Sequence, residues 1–214
     1  MSSSENRTSY HHGNLANALE EAGIGLARAG GPDAVALREA ARRAGVSATA
    51  AYRHFAGQQD LLERVKQRAL AMLADQMRAA LVKVPQVGEP GDIAIARLYA
   101  ACWAYLGFAR DEPGCFATAF RRTKAEAPPD DGGMVGDDAF RLLGSLVDAL
   151  VDTGRMAEED RPGADLATWA AVHGVAVLLL DGPLRHLPAA AQNAAAERTL
   201  DTIVNGLTRR GRAV

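Results

Sequence analysis

Residues 37–62 run LREAARRAGVSATAAYRHFAGQQDLL. Leu37, Ala40, Ala41 and Ala44 recur at helical spacing with Arg38, Arg42 and Arg43 on the other side, which predicts an amphipathic helix over 35–44. Gly45 ends it by admitting the positive φ that reverses the chain. Ser47 then caps a helix of barely two turns reaching about His54, and Gly57 breaks the chain again before a long helix from Gln58. A helix, a tight turn at Ala44-Gly45-Val46 and a short second helix make a helix-turn-helix. Small Ala40 and Ala41 let the two helices cross closely, and Val46 fills the space beneath the crossing.

Upstream, Asn14 caps a predicted helix to about Ala29, with Leu15, Leu19, Ala22 and Leu26 on one face, stopped by Gly30-Gly31-Pro32. The first nine residues, rich in Ser, Asn and Thr, read as a disordered arm. Downstream, Leu61, Leu62, Val65, Leu70, Leu73, Met77 and Leu81 mark the long helix, and 85–92 is a linker. Further helices are predicted over 92–110, 113–124, 136–154, 162–181 and 187–209. Segment 126–138, EAPPDDGGMVGDD, lacks apolar periodicity and reads as a mobile loop. The fold class is all-α, with neither strand nor internal repeat predicted.

Size and charge narrow the function. With 214 residues the chain can bury a core without disulfides or a metal staple. The net charge of −2 excludes a uniformly basic coat. Residues 1–70 nevertheless hold nine basic against seven acidic side chains, and the remainder fifteen against nineteen, so a polyanion belongs near the N-terminus. Two cysteines, Cys102 and Cys115, make neither a disulfide framework nor a zinc site. Adjacent His11 and His12 lack a third ligand, so no metal and no cofactor is expected. The N-terminus lacks a signal peptide's apolar core, and the longest uncharged apolar run, Leu166–Leu180, is 15 residues, short of the roughly 20 a membrane span needs. A soluble cytoplasmic protein with no membrane partner is the expectation.

The short second helix carries the chemistry. Ala48, Ala50 and Ala51 let its backbone approach a base-pair edge, and Thr49 offers a hydroxyl and a methyl. Ser47 at the N-cap turns free N–H groups toward a phosphate, and Tyr52, Arg53 and His54 reach for the backbone. Two readings of Tyr52 stand, a core tyrosine or a DNA contact; its place beside Arg53 and apart from Phe55 favours the contact. Arg38, Arg42 and Arg43 are either a solvated face or further phosphate contacts.

Gly45-Val46-Ser47, Tyr52, Phe55 and Gln58-Gln59-Asp60-Leu61-Leu62 resemble the DNA-binding domain of TetR-family transcriptional regulators. Tyr10-His11-His12-Gly13-Asn14-Leu15 resembles the start of that domain in one branch, and Trp169-Ala170-Ala171-Val172-His173-Gly174 resembles the Trp-x-x-x-His-Gly signature of a TetR-type C-terminal domain. The resemblance implies a homodimer with an arm and helix-turn-helix domain over 1–57 and a ligand-binding and dimerisation domain over 58–214, of which 58–83 is a connecting helix. It places Thr49, Tyr52 and His54 at DNA-contacting positions of a double-stranded operator. Two departures weaken phosphate binding: Gln58 stands where a lysine is usual, and Ala36 where Ser or Thr is usual. Arg38, Arg42, Arg53 and His54, with Arg7, His11 and His12 of the arm, are expected to make up part of the difference.

In the second domain Tyr99, Trp103, Leu106, Phe116, Phe120, Trp169 and His173 either line an apolar ligand pocket or fill a core, and for His173 the two readings are evenly balanced. Leu166–Leu180 is apolar around most of its circumference, and Leu200, Ile203, Val204 and Leu207 form a matching stripe. The last two helices are therefore the expected dimer face, a deeply buried penultimate helix in a monomer being the alternative. The expected function is a ligand-responsive dimeric regulator, most simply a repressor released from a pseudo-palindromic operator by a small apolar or amphipathic molecule. The rivals are a corepressor-dependent regulator, a helical scaffold that binds only protein, and a helical enzyme pairing Cys102 or Cys115 with His173. The enzyme is disfavoured because nucleophile-elbow, metalloprotease and phosphate-loop motifs are missing and apolar neighbours suppress the thiolate.

Overall fold

The computed structural model describes residues 5–121 and 138–208, with side chains from Leu15 onward. Its helices are α1 (Glu5–Gly30), α2 (Leu37–Arg43), α3 (Ala48–Ala51), α4 (Gln58–Val82), α5 (Pro90–Asp111), α6 (Pro113–Ala119), α7 (Asp138–Asp152), α8 (Ala164–Leu180) and α9 (Ala189–Thr208), joined in places by short 3-10 turns. No strand occurs among the described residues. The fold is all-α, with a helix-turn-helix followed by a helical C-terminal region.

Helix α1 begins at Glu5, so residues 5–9 of the expected disordered arm are helical, and residues 1–4 lie outside the described residues. No proline precedes Pro32, and a helix once nucleated extends at little cost per residue. At its other end Gly31 adopts φ 71° while its N–H donates to the Ala27 carbonyl at 2.7 Å. The expected mobile loop at 126–138 lies outside the described residues apart from Asp138, the first residue of α7.

The chain forms two compact units. Among the described residues, 5–70 and 112–121 make one, and 71–111 with 138–208 make the other. Helix α4 contributes residues to both units, and α6 belongs with α1.

In the first unit Leu19, Leu26, Val35, Leu37, Phe55 and Leu61 are buried together with Ala40, Ala41 and Ala51. Gly23 lets α1 and α4 approach closely, since a Cβ there would come within 2.5 Å of the Val65 side chain. Helix α6 starts at Pro113, which fits a first helical turn because that N–H has no helical acceptor. Gly114 abuts the Ala27 carbonyl so closely that a Cβ would collide with it. The contact is framed by ion pairs from Arg28 to Glu112 at 2.6 Å and from Arg121 to Asp33 at 3.1 Å.

The second unit is built on α5, whose Leu98, Ala101, Cys102, Tyr105, Phe108 and Ala109 are buried beneath α7, α8 and α9. Gln76 of α4 donates to the Ala104 carbonyl at 3.2 Å. Arg161 spans α7 and α8 by pairing with Asp148 at 2.6 Å and Asp165 at 3.4 Å, and Arg155 reaches Asp92 at 2.5 Å across the face of Gly91.

Candidate nucleic-acid interface and ligand hollow

The turn between α2 and α3 is fixed by the backbone. Gly45 takes φ 70°, its N–H donates to Arg42 at 3.2 Å, and the Val46 N–H donates to Ala41 at 3.0 Å. These two bonds are those of a Schellman motif, which only a residue free to adopt a left-handed conformation closes without strain. The Ser47 hydroxyl oxygen then accepts the Ala50 N–H at 3.1 Å, capping α3. Buried Ala51 and Phe55 anchor the short helix to the core, while Ala48 and Thr49 are exposed and Tyr52 is 48% exposed.

Regular helix ends at Ala51 rather than near His54. Tyr52, Arg53 and His54 follow on a tighter turn, with N–H groups donating to Ala48, Ala50 and Ala51 at 3.0, 3.2 and 3.0 Å. Burial of Phe55 draws the chain inward there. Ser47, Ala48, Thr49, Tyr52, Arg53 and His54 thus belong to one continuous segment, and exposed Gln58 opens the next helix. Asp60 accepts the Ala56 N–H at 2.9 Å, which places a carboxylate at the start of α4 near Gln58.

The arginines of α2 and of the turn after α3 divide into two kinds. Arg38 and Arg53 are exposed and make no ion pair among the described residues. Arg42 is closed on Glu39, its Nε donating to Oε2 and its Nη2 to Oε1, both at 2.8 Å, and the Arg43 Nε adds a bond to Oε1 at 3.2 Å. The hydrogen bonds from Arg42 and then Arg43 hold the Glu39 carboxyl down at about 2. Of the expected phosphate contacts on α2, Arg42 and Arg43 are therefore both engaged with Glu39. Glu39 was absent from the candidate residues, although its spacing to Arg42 and Arg43 (i,i+3 and i,i+4) is visible in the sequence.

In the second unit a hollow of about 80 Å³ opens between α5, α8 and α9. Trp103, Leu106, Leu179 and Leu180 supply its apolar wall, with Arg110 and Gln192 at its polar side. Of the seven expected pocket residues, Trp103 and Leu106 lie on it. Half-buried Tyr99 donates its hydroxyl proton to Asp201 at 2.7 Å, joining α5 to α9, and desolvation with that bond pushes the phenol up to about 12. Phe116 and Phe120, 4.8 Å apart, belong to α6 in the first unit, because Gly114 seats that helix on α1.

Trp169 and His173 form a separate cluster with Tyr105 and Phe140. Trp169 meets the rings of Tyr105 and Phe140 edge-on at 5.3 and 5.6 Å and stacks over His173 at 6.4 Å. The fully buried Tyr105 hydroxyl lies 2.7 Å from His173 Nδ1. Burial lowers the imidazole pKa and favours its neutral form, in which Nδ1 can accept the Tyr105 hydroxyl proton. Sequence reasoning had not singled out Tyr105, the group that gives His173 its orientation.

Both cysteines are buried, and desolvation lifts Cys102 to about 12 and Cys115 to about 11, leaving little thiolate at neutral pH. Among the described residues there is no group of three or more side chains placed to hold a metal ion, and no helix long and apolar enough to cross a membrane.

A tightly turned, capped and exposed short helix on an all-α scaffold defines a helix-turn-helix DNA-binding protein. Residues 20–65 match the family described as "Bacterial regulatory proteins, tetR family", and residues 98–203 match "Tetracyclin repressor-like, C-terminal domain". The chain belongs to the TetR family of transcriptional regulators. The C-terminal match does not specify the Trp-x-x-x-His-Gly subtype. A protein with unknown function from Rhodococcus sp. RHA1 is 26% identical, with 94% of this chain and 98% of that chain covered at a TM-score of 0.74. A tetR-family transcriptional regulator from Streptomyces coelicolor (23% identical, 90% and 82% covered, TM-score 0.54) shares the fold. So does a Shewanella sp. PV-4 protein assigned to the same family (20% identical, 92% and 99% covered, TM-score 0.62). Curated proteins gave no match.

Proposed function

We propose that the protein is a dimeric, ligand-responsive repressor. The observation that carries the DNA-binding half is the segment Ser47–His54, exposed at Ser47, Ala48, Thr49, Tyr52 and Arg53 and held by the Gly45 turn and the Ser47 cap. Ala48 and Thr49 face the bases, Ser47, Tyr52, Arg53, Arg38, His54 and Gln58 meet the backbone, and Arg42 joins them only when it leaves Glu39. The dimer is supported by the outer face of α8, where Leu166, Ala167, Ala170, Val177 and Leu178 are exposed with no charged side chain among them. Pairing α8 and α9 with those of a second copy buries this face and presents two recognition segments to a pseudo-palindromic operator, with half-sites about 34–36 Å apart. The hollow beside Trp103 is the proposed place for a small apolar or amphipathic effector.

Selection of bound duplexes from a random pool, followed by binding at increasing salt, tests this reading. A two-fold-symmetric motif is expected, with affinity falling about 10³–10⁵-fold between 50 and 200 mM salt for six to ten phosphate contacts. Sequence-blind binding overturns it. An effector in the hollow is expected to weaken operator binding roughly 5–150-fold, a coupling of about 1–3 kcal/mol. An effector that tightens binding makes the protein corepressor-dependent instead.

A further inference from the structure

We propose that Glu39 is a specificity-determining residue, an internal stand-in for phosphate that keeps Arg42 off the DNA backbone and so limits sequence-independent binding. The inference rests on the DNA-binding reading above and adds a residue to it. A guanidinium fork fits a carboxylate and a phosphate in the same bidentate way. In this chain the Arg42 fork is already filled, with both bonds to Glu39 at 2.8 Å. The Arg42 side chain is otherwise 73% exposed, so nothing except the carboxylate keeps it from a polyanion. Arg43 is a second anchor: it bonds the same Oε1 at 3.2 Å, and its guanidinium lies over Gly25 of α1, where a Cβ would be 3.6 Å from Nη1. Glu39 is thus held from a second side, so it remains beside Arg42.

The electrostatics follow. A duplex approaching α2 must either leave Arg42 on Glu39 and gain nothing from it, or displace a carboxylate that stays nearby and repels the incoming phosphate. Either route lowers the return from backbone contact alone. Contacts made through Ala48 and Thr49, which carry sequence information, are not taxed in this way. Arg38 and Arg53, which make no ion pair among the described residues, supply the backbone grip that remains. An i,i+3 and i,i+4 pairing of this kind also steadies the last turn of α2, and the test has to separate that role from the one proposed.

The separating measurement is the salt dependence of binding to a random-sequence duplex for the full-length protein, its Glu39→Gln and Arg42→Gln variants and the double variant. A role confined to helix stability shifts the melting temperature of Glu39→Gln and leaves the salt slope unchanged. Under the proposal, Glu39→Gln binds random duplex several-fold more tightly at 50 mM salt. Its log–log salt slope steepens by about 0.9, the signature of one added phosphate contact, or about 3-fold more affinity lost between 50 and 200 mM. Binding to a selected operator improves less, so the specific-to-random ratio falls. Both gains disappear when Arg42→Gln is added. An unchanged slope in Glu39→Gln, or the same change with and without Arg42, overturns the proposal while leaving the DNA-binding reading intact. Absence of DNA binding in all four proteins overturns that reading and the inference together.

Discussion

At the scale of single residues, backbone conformation and desolvation set the outcomes. Gly45 sits at φ 70° with open space around its Cβ position, so Gly45→Ala meets no clash and the cost is purely conformational. A loss of about 1 kcal/mol is expected, read as a lower melting temperature and weaker DNA binding from a loosened turn. Ser47→Ala removes the acceptor for the Ala50 N–H and should cost about 1 kcal/mol in the same measurement. His173 makes stability depend on pH. Its imidazole pKa is depressed in the fold, so an unfolded chain takes up the proton first as pH falls. The native state therefore loses stability as pH drops below about 6.5 toward the lower folded value. His173→Gln keeps an acceptor for Tyr105 without the titration, and its melting temperature should decline less between pH 7 and pH 5.5 than that of the unaltered protein.

At the scale of elements, the sequence was most informative where local chemistry decides the structure. The turn at Gly45, the Ser47 cap and the start of α4 at Gln58 were legible because each depends on one or two residue types at fixed spacing. The Arg42–Glu39 clasp is equally local, but the i,i+3 spacing of Glu39 and Arg42 is equally compatible with two separately solvated side chains. The grouping of aromatics was not legible. Phe116 and Phe120 follow Trp103 and Leu106 closely in the chain, yet Gly114 seats their helix on Ala27 of α1, a contact between residues far apart in sequence. Pairing of Tyr105 with His173 is likewise long-range, and helical periodicity identifies a buried face without naming its partner. The seating of α6 has its own test. Gly114→Val drives a branched side chain into the Ala27 carbonyl, with no flexible neighbour to yield, and should destabilise the first unit by several kcal/mol, seen as early loss of amide-exchange protection in α1.

At the scale of the whole molecule, the proposed dimer turns on the outer face of α8. Ala170 lies on the uncharged outer face of α8, where Ala170→Glu meets solvent in a monomer and a second apolar face in a dimer. Sedimentation at micromolar concentration is expected to show a dimer for the unaltered chain and a monomer for the variant, with operator affinity falling alongside. An unchanged sedimentation coefficient removes α8 from the interface. The membership of α6 in the first unit bears on synthesis as well as on the finished protein. The N-terminal unit is complete only when Glu112–Arg121 joins residues 5–70. A ribosome adding about 5–20 residues per second therefore takes roughly three to ten seconds between Leu70 and the completion of α6. During that interval the nascent DNA-binding head carries an uncovered patch around Ala27, which makes the order of translation, and access of chaperones to that patch, part of how this regulator reaches its native state.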